Sequence, residues 1–349
     1  MFLYSRAASA IFFKYTVTTY HGITLKILIY KIIIILICSS YLSAQESSAE
    51  KANTGESGEV YETVKVPVNL FDTYQFSSGT APYVRYGLYT FGPLFMIGYG
   101  LGTWGWNSTE FQWKAENPLG AHAKNGAADK YGHLYGNYLM KRLTTFMFRA
   151  SGSSSNKANL EGALLTEIIT TAGEIGDGFA PNYGFDPYDF LANQAGILIG
   201  VILDYSPFLD RIFAVQWEYF PSKDMRRRFD IVHHHDIFTD YSGSKFLLAT
   251  KLGGIPYISR TPLRYVNIDL GYYSRGYHPA YGFDRRTRNY YLGLSLNLTF
   301  AFGNILPTGY VSSVFQSFFN YVHIPYTGFE LKRWKISDRP QSEWEKEDL

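Results

Sequence analysis

The sequence predicts an α+β fold, in which a bundle of about four helices is followed by an antiparallel, aromatic-rich β-sheet or partial barrel, associated with a membrane. Three observations predict it. Apolar residues recur at helical spacing between about Pro82 and Leu203 and alternate with a period of two from about Asp210 to Leu331. A basic, apolar leader opens the chain. Aromatic side chains make up 18% of the 349 residues, with 30 Tyr, 26 Phe and 6 Trp. Tyr and Trp, apolar in body and polar at the tip, suit a membrane–water interface.

Composition narrows the class further. With 46% hydrophobic residues the chain is not disordered, and it is long enough to bury a sizeable core. A single cysteine excludes a disulfide framework. The net charge of +2 is unevenly placed. Residues 1–44 hold Arg6, Lys14, Lys26 and Lys31 and no Asp or Glu, leaving 28 basic against 30 acidic residues in the rest. No nucleic-acid footprint remains, so membrane lipid is the expected partner and nucleic acid is not.

The elements follow in order. Lys26 and Lys31 precede the run Ile32–Cys38, and small residues lead to Ala44. This reads as a signal peptide over 1–44, cleaved after Ala44. Cys38 raises a lipoprotein reading, although Leu36 and Ile37 are bulky where a lipobox has a small residue just before its cysteine. Export to a bacterial cell envelope, with the outer membrane as destination, is the expected localisation. Residues 45–60 are rich in Ser, Glu, Ala and Gly and read as a flexible linker. A helical domain is expected over 61–205. Its helices are placed at Leu88–Trp106, Ala127–Phe148, Asn159–Asp177 and Asp186–Leu203, the last opening on Pro187, where a helix tolerates proline. An antiparallel β region is expected over 206–333. Tyr290–Phe302 alternates Leu and Phe with small or polar residues over a dozen positions, Arg264–Tyr272 does the same, and Ile212–Tyr219 and Lys245–Leu252 are weaker strands. About five strands are too few for the smallest common membrane barrel of about eight, which favours a sheet packed on helices. A polar tail is expected over 334–349.

Three helices each carry a polar pair on one face. Asp129 and His133 are four apart, Glu174 and Asp177 three apart, and Asp189 and Asn193 four apart, with Gly196 and Gly200 continuing that last stripe. Carboxylates among apolar residues are costly unless paired, so these side chains are expected to meet where the helices pack. Small residues at this spacing let helices approach closely. The residue types leave three readings open: a structural polar cluster, a ligand or metal site, and a catalytic site. No cofactor is expected. A divalent cation at the cluster is the one ion these residues could take, although the spacing lacks the E-x-x-H and H-E-x-x-H patterns of known metal helices.

The three motifs resemble a family. Asp129-Lys130-Tyr131-Gly132-His133-Leu134 is similar to the D-K-x-x-H-[FL] opening of the YfiM-like family of predicted bacterial envelope lipoproteins, which adds Lys130 to the cluster. Gly173-Glu174-Ile175-Gly176-Asp177 resembles its E-x-x-D element, and Asp189-Phe190-Leu191-Ala192-Asn193-Gln194-Ala195-Gly196 its closing D-x-x-x-[ND]-x-x-G. VanZ-like membrane proteins share the order of elements but show E-x-x-Q where this chain has Glu174 and Asp177. The resemblance spans residues 129–200, implies an envelope location and gives no activity.

Outside these motifs, His233-His234-His235 place at most two imidazoles on one strand face, short of the three ligands of a zinc site. The basic runs Arg226-Arg227-Arg228, beside Lys223, and Arg285-Arg286-Thr287-Arg288 either face phosphate head groups or are solvated. There is no G-x-S-x-G, and the one cysteine lies in the leader. The expected function is a structural, scaffold or binding role in the envelope, without a recognisable catalytic set. The alternatives are an enzyme or binder acting on a phosphorylated envelope lipid, and a small β-barrel channel.

Overall fold

A computed structural model describes residues 74–119, 123–222, 225–226, 237–277, 285–307 and 309–340. The leader, the 45–60 linker, Lys223, Arg227, Arg228 and His233–His235 lie outside the described residues.

The first half is helical. Helix α1 (Ala81–Tyr99) ends in a π-helical turn at Gly100–Trp104. Helix α2 (Ala128–Ala150) starts after Asn125, Gly126 and Ala127, three successive residues at positive φ. Helix α3 (Ser155–Asp177) has good helix formers throughout. Helix α4 (Pro187–Tyr205) opens on Pro187, and the Asp186 carboxylate caps it by accepting from Tyr188 N at 2.9 Å. Helices α2 and α4 pack closely at Gly196. A Cβ there would run into the Leu134 carbonyl and come within 2.9 Å of Tyr138 N.

The second half is a sheet. A short helix α5 (Pro207–Ile212) leads into β1 (Phe213–Tyr219), followed by β2 (Ser244–Lys251), β3 (Val266–Arg275) and β4 (Arg285–Leu296). Then come α6 (Leu298–Ile305), α7 (Tyr310–Tyr321), β5 (Val322–His323) and β6 (Gly328–Pro340). The strand order is β5-β1-β2-β3-β4-β6. All neighbours are antiparallel except β1 and β5, which pair in parallel through Trp217 and Glu218.

Several expectations are corrected. The four helices expected of the bundle are present, and three further α-helices accompany them among the described residues, two of which interrupt the β region. The sheet is mixed rather than purely antiparallel, and it is not closed into a barrel: β5 and β6 are its edges. Tyr290–Phe302 is not one strand. It breaks at Asn297, whose side chain accepts from Phe300 N at 3.1 Å and caps α6. Leu298 and Phe302 are four apart, so the alternating pattern also fits one face of a helix over this short run. Phe315–Tyr326, inside the region expected to be β, lies largely in α7. There Ser312, Ser313, Gln316, Ser317 and Asn320 are buried at helical spacing. Strand β6 continues through residues 334–340, past the boundary expected for a polar tail.

The sheet has two unlike faces. One carries Val215, Phe246 and Tyr272 under α2, where the Tyr131 and Tyr272 rings stack with centroids 4.2 Å apart. Beyond α2 the same face runs out into uncovered leucines. The other face is buried and holds most of the sheet's polar side chains around a small cluster of Leu247, Tyr273 and Tyr291. Helix α7 covers part of it, accepting from Gln216 Nε2 at the Phe319 carbonyl (2.7 Å) and from Lys251 Nζ at Asn320 Oδ1 (2.6 Å). Burial therefore runs against polarity along β3: Asn267 and Asp269 are each 2% exposed, whereas Ile268 is 38% and Leu270 51% exposed.

Candidate functional site

Helices α2, α3 and α4 bring Asp129, Lys130, His133, Glu174, Asp177, Asp189 and Asn193 to one end of the bundle. Two centres share Asp189. At the first, the Lys130 ammonium lies 3.0 Å from Asp129 Oδ2, 2.6 Å from Asp186 Oδ2, 2.9 Å from Asp189 Oδ1 and 3.6 Å from Glu116 Oε2. Burial works against that ammonium, but Asp129, Asp189 and the hydrogen bond to Asp186 outweigh it and hold the proton above the usual lysine range.

The second centre is His133. Its Nδ1 lies 3.0 Å from Asn193 Oδ1 and 3.7 Å from Glu174 Oε1, and its Nε2 lies 3.5 Å from Asp189 Oδ1. Asn193 in turn donates from Nδ2 to Glu174 Oε1 at 2.7 Å, and Asn137 Nδ2 donates to Asn193 Oδ1 at 2.5 Å. With Asn193 Oδ1 accepting from Nδ1–H, Nε2 is left as the basic nitrogen. The His133 side chain is 35% exposed, against 6% for Glu174. Solvent therefore reaches the cluster at the imidazole, with Glu174 behind it.

Burial pushes Glu174 up to about 7, with the Asp189 carboxylate adding to the rise and His133 opposing it. Burial also raises Asp189, against the pull of His133 and Lys130. Asp177 is raised by burial and restrained by the Trp106 indole, whose Nε1 donates to Asp177 Oδ1 at 2.9 Å. A carboxyl raised toward neutrality by burial and hydrogen-bonded to the side chain that holds an imidazole is the kind of group that exchanges protons at active sites.

Glycines Gly196 and Gly200 lie away from the polar side chains, along the contact of α4 with α2: Gly196 against Leu134 and Tyr138, and Gly200 against Lys141. Glu116, Trp106, Asp186 and Asn137 join the site and were not in the expected set. Glu116 comes from the irregular segment before α2, which has no periodic signal, and Trp106 lies just past the π-helical turn, at the end expected for the first helix. Asp186 reads in sequence only as a cap, yet it both caps α4 and binds Lys130. Asn137 shares the helix face of Asp129 and His133, which the spacing 129, 133, 137 already shows in the sequence, although it is not among the expected site residues. Among the described residues no group of three or more His, Cys, Asp and Glu side chains is disposed to hold a metal ion. The position between Asp129, Asp186 and Asp189 is taken by Lys130.

A second polar network lies deeper. Lys141 bonds to Asn159 and Asp204, and Arg142 to Asp204 (2.7 Å) and Asp210 (2.9 Å). Burial pulls Lys141 down to about 8 despite Asp204, whereas Asp204 itself is held below its usual range by Arg142 and Lys141, which overcome its burial. This network ties α2 to α4 and α5 and has no solvent access at Lys141 or Arg142.

No curated protein and no solved structure matches the chain. Residues 116–205, which hold every member of the His133 and Lys130 centres, match the model of a family described as predicted periplasmic lipoprotein (DUF2279). The match supports an uncharacterised envelope lipoprotein family, and with it an exported bacterial envelope protein of unknown activity.

Proposed function

We propose that this is a membrane-associated protein of the cell envelope, resident at the outer membrane, with a structural or binding role rather than a catalytic one. The reading rests on the burial of the helical layer. None of the 19 residues of α1 is buried, and Tyr83, Tyr86, Phe91, Leu94 and Phe95 are all more than half exposed. On α3 Leu160, Leu164 and Ile168 are exposed, while Lys141, Arg142 and Asn159 are buried inside the bundle. Water selects the opposite arrangement, and an exposed apolar surface of this extent marks a membrane or partner contact. No helix among the described residues is long and apolar enough to cross a membrane, so contact through these faces, with or without a lipid on Cys38, is the proposed mode. Fractionation tests it. The mature protein is expected in the outer-membrane pellet after a high-salt wash and to be released by detergent. Recovery in the soluble periplasmic fraction overturns the reading.

The hydrogen-bonded chain His133–Asn193–Glu174 favours a second reading, a ligand site entered at His133. The acidic groups of Asp129, Glu174, Asp177, Asp186 and Asp189 outnumber the one ammonium, that of Lys130, and would repel a phosphate. A ligand bringing N–H or O–H donors suits the site better than a phosphorylated lipid. The YfiM-like motif order fits the same site, because the three motifs supply its three helices. The test is rescue of a deletion strain's envelope phenotype. His133→Ala and Glu174→Gln are expected to fold and fail to rescue. Full rescue by both removes this reading.

A further inference from the structure

We infer that the uncovered half of the sheet's apolar face is a docking surface for an anionic lipid bilayer, an inference that rests on the membrane reading above and specifies where and to what the sheet binds. The register defines the face. Leu248 pairs with Leu270 and Leu270 with Leu292; Ile268 pairs with Leu294 and Val266 with Leu296. Across the next ladder Leu294 meets Phe329, Leu292 meets Lys332 and Tyr290 meets Trp334. These side chains form one continuous field over four strands. Leu248 is 42%, Leu270 51%, Leu296 53% and Phe329 63% exposed, beyond the part of the face that α2 covers.

Charge selects the occupant. Among the described strand residues this face carries no carboxylate. Glu218, Asp269 and Glu330 all point to the opposite face, where Glu218 and Glu330 meet Lys245 at 3.1 and 3.6 Å. The described charged side chains on the apolar face are basic: Arg286, Arg288 and Lys332. Arg288 is engaged with Tyr272 and the Pro118 carbonyl, whereas Lys332 is exposed at the rim with its ammonium 5.2 Å from the Trp334 ring. A leucine field bordered by a Trp and a Lys is what an acyl-chain surface topped by phosphate head groups receives: the leucines enter, the indole sits at the boundary and the ammonium reaches the phosphates. The polar residues of the same strands are meanwhile kept on the covered side, as they are in strands that face lipid.

The experiment is co-sedimentation of the full chain with vesicles of phosphatidylcholine alone and of phosphatidylcholine mixed with phosphatidylglycerol. The wild type is expected to bind both and the mixed vesicles more tightly, with the difference removed by salt. Leu270→Gln combined with Leu296→Gln is expected to weaken binding to both about tenfold. Lys332→Glu is expected to weaken binding to the mixed vesicles about tenfold and to leave the zwitterionic ones unchanged. Circular dichroism checks that the variants fold. If the double variant does not, quenching by brominated acyl chains, taken as the difference between wild type and Trp334→Phe, reads the same contact. Variants that bind as the wild type does, or no quenching assignable to Trp334, overturn the docking face while leaving the membrane reading intact. So does a dimer that the leucine variants dissociate, which would make a second copy the occupant. A wild type that binds neither vesicle overturns both.

Discussion

Glu174 is the residue at which burial and chemistry meet most closely. Its carboxyl is lifted from about 4.5 to about 7, so between these values the native protein keeps a proton that the unfolded chain has released. Stability therefore falls as pH rises through that window, and the deficit, about 3 kcal/mol, is complete above it. Glu174→Gln keeps an oxygen for Asn193 and removes the charge. It is expected to be more stable than wild type by about 2–3 kcal/mol at pH 8 and nearly equal at pH 4, measured by urea melts at the two pH values. Asp204 behaves in the opposite sense. It is the shared counter-ion of Lys141 and Arg142, and Asp204→Asn leaves two buried cations underpaired. A loss of about 3–5 kcal/mol is expected in the same assay.

At the scale of elements, the α2–α4 contact and the β4–α6 junction each hang on one residue. Gly196→Ala pushes a methyl into the backbone of α2, and the helices must separate. A cost of about 1–3 kcal/mol is expected, with hydrogen exchange rising in both helices. Asn297→Ala removes the cap of α6, with an expected cost of about 1 kcal/mol by thermal melting. These elements also mark how far sequence pattern carries. The helices of the bundle and strand β3 are legible because their apolar periods run long enough to exclude the alternative, whereas β1 and β2 are short and give weaker signals. The break at Asn297 is not, because eight residues of α6 fit both periods and only the cap decides between them. For the site, the spacings of Asp129 with His133 and of Asp189 with Asn193 place each pair on one face of a helix. That Lys130 sits among four carboxylates, one of them Glu116 from an irregular segment, depends on tertiary placement that no local spacing encodes.

Across the described residues, polar groups share the interior with the aromatic core in both halves: ion pairs, amides and hydroxyls are buried in the bundle and on the covered side of the sheet, while α1, the outer stripe of α3 and the leucines of β3 and β4 face outward. Unfolding such a molecule wets a larger share of buried polar groups than unfolding a protein with a mainly hydrocarbon core does. Apolar hydration raises the heat capacity and polar hydration lowers it, so the heat-capacity increment of unfolding should fall below the usual ~12–15 cal/mol/K per residue. A flatter stability curve follows, with weak cold denaturation and a shallow maximum, and scanning calorimetry of the described domain in mild detergent would measure it directly.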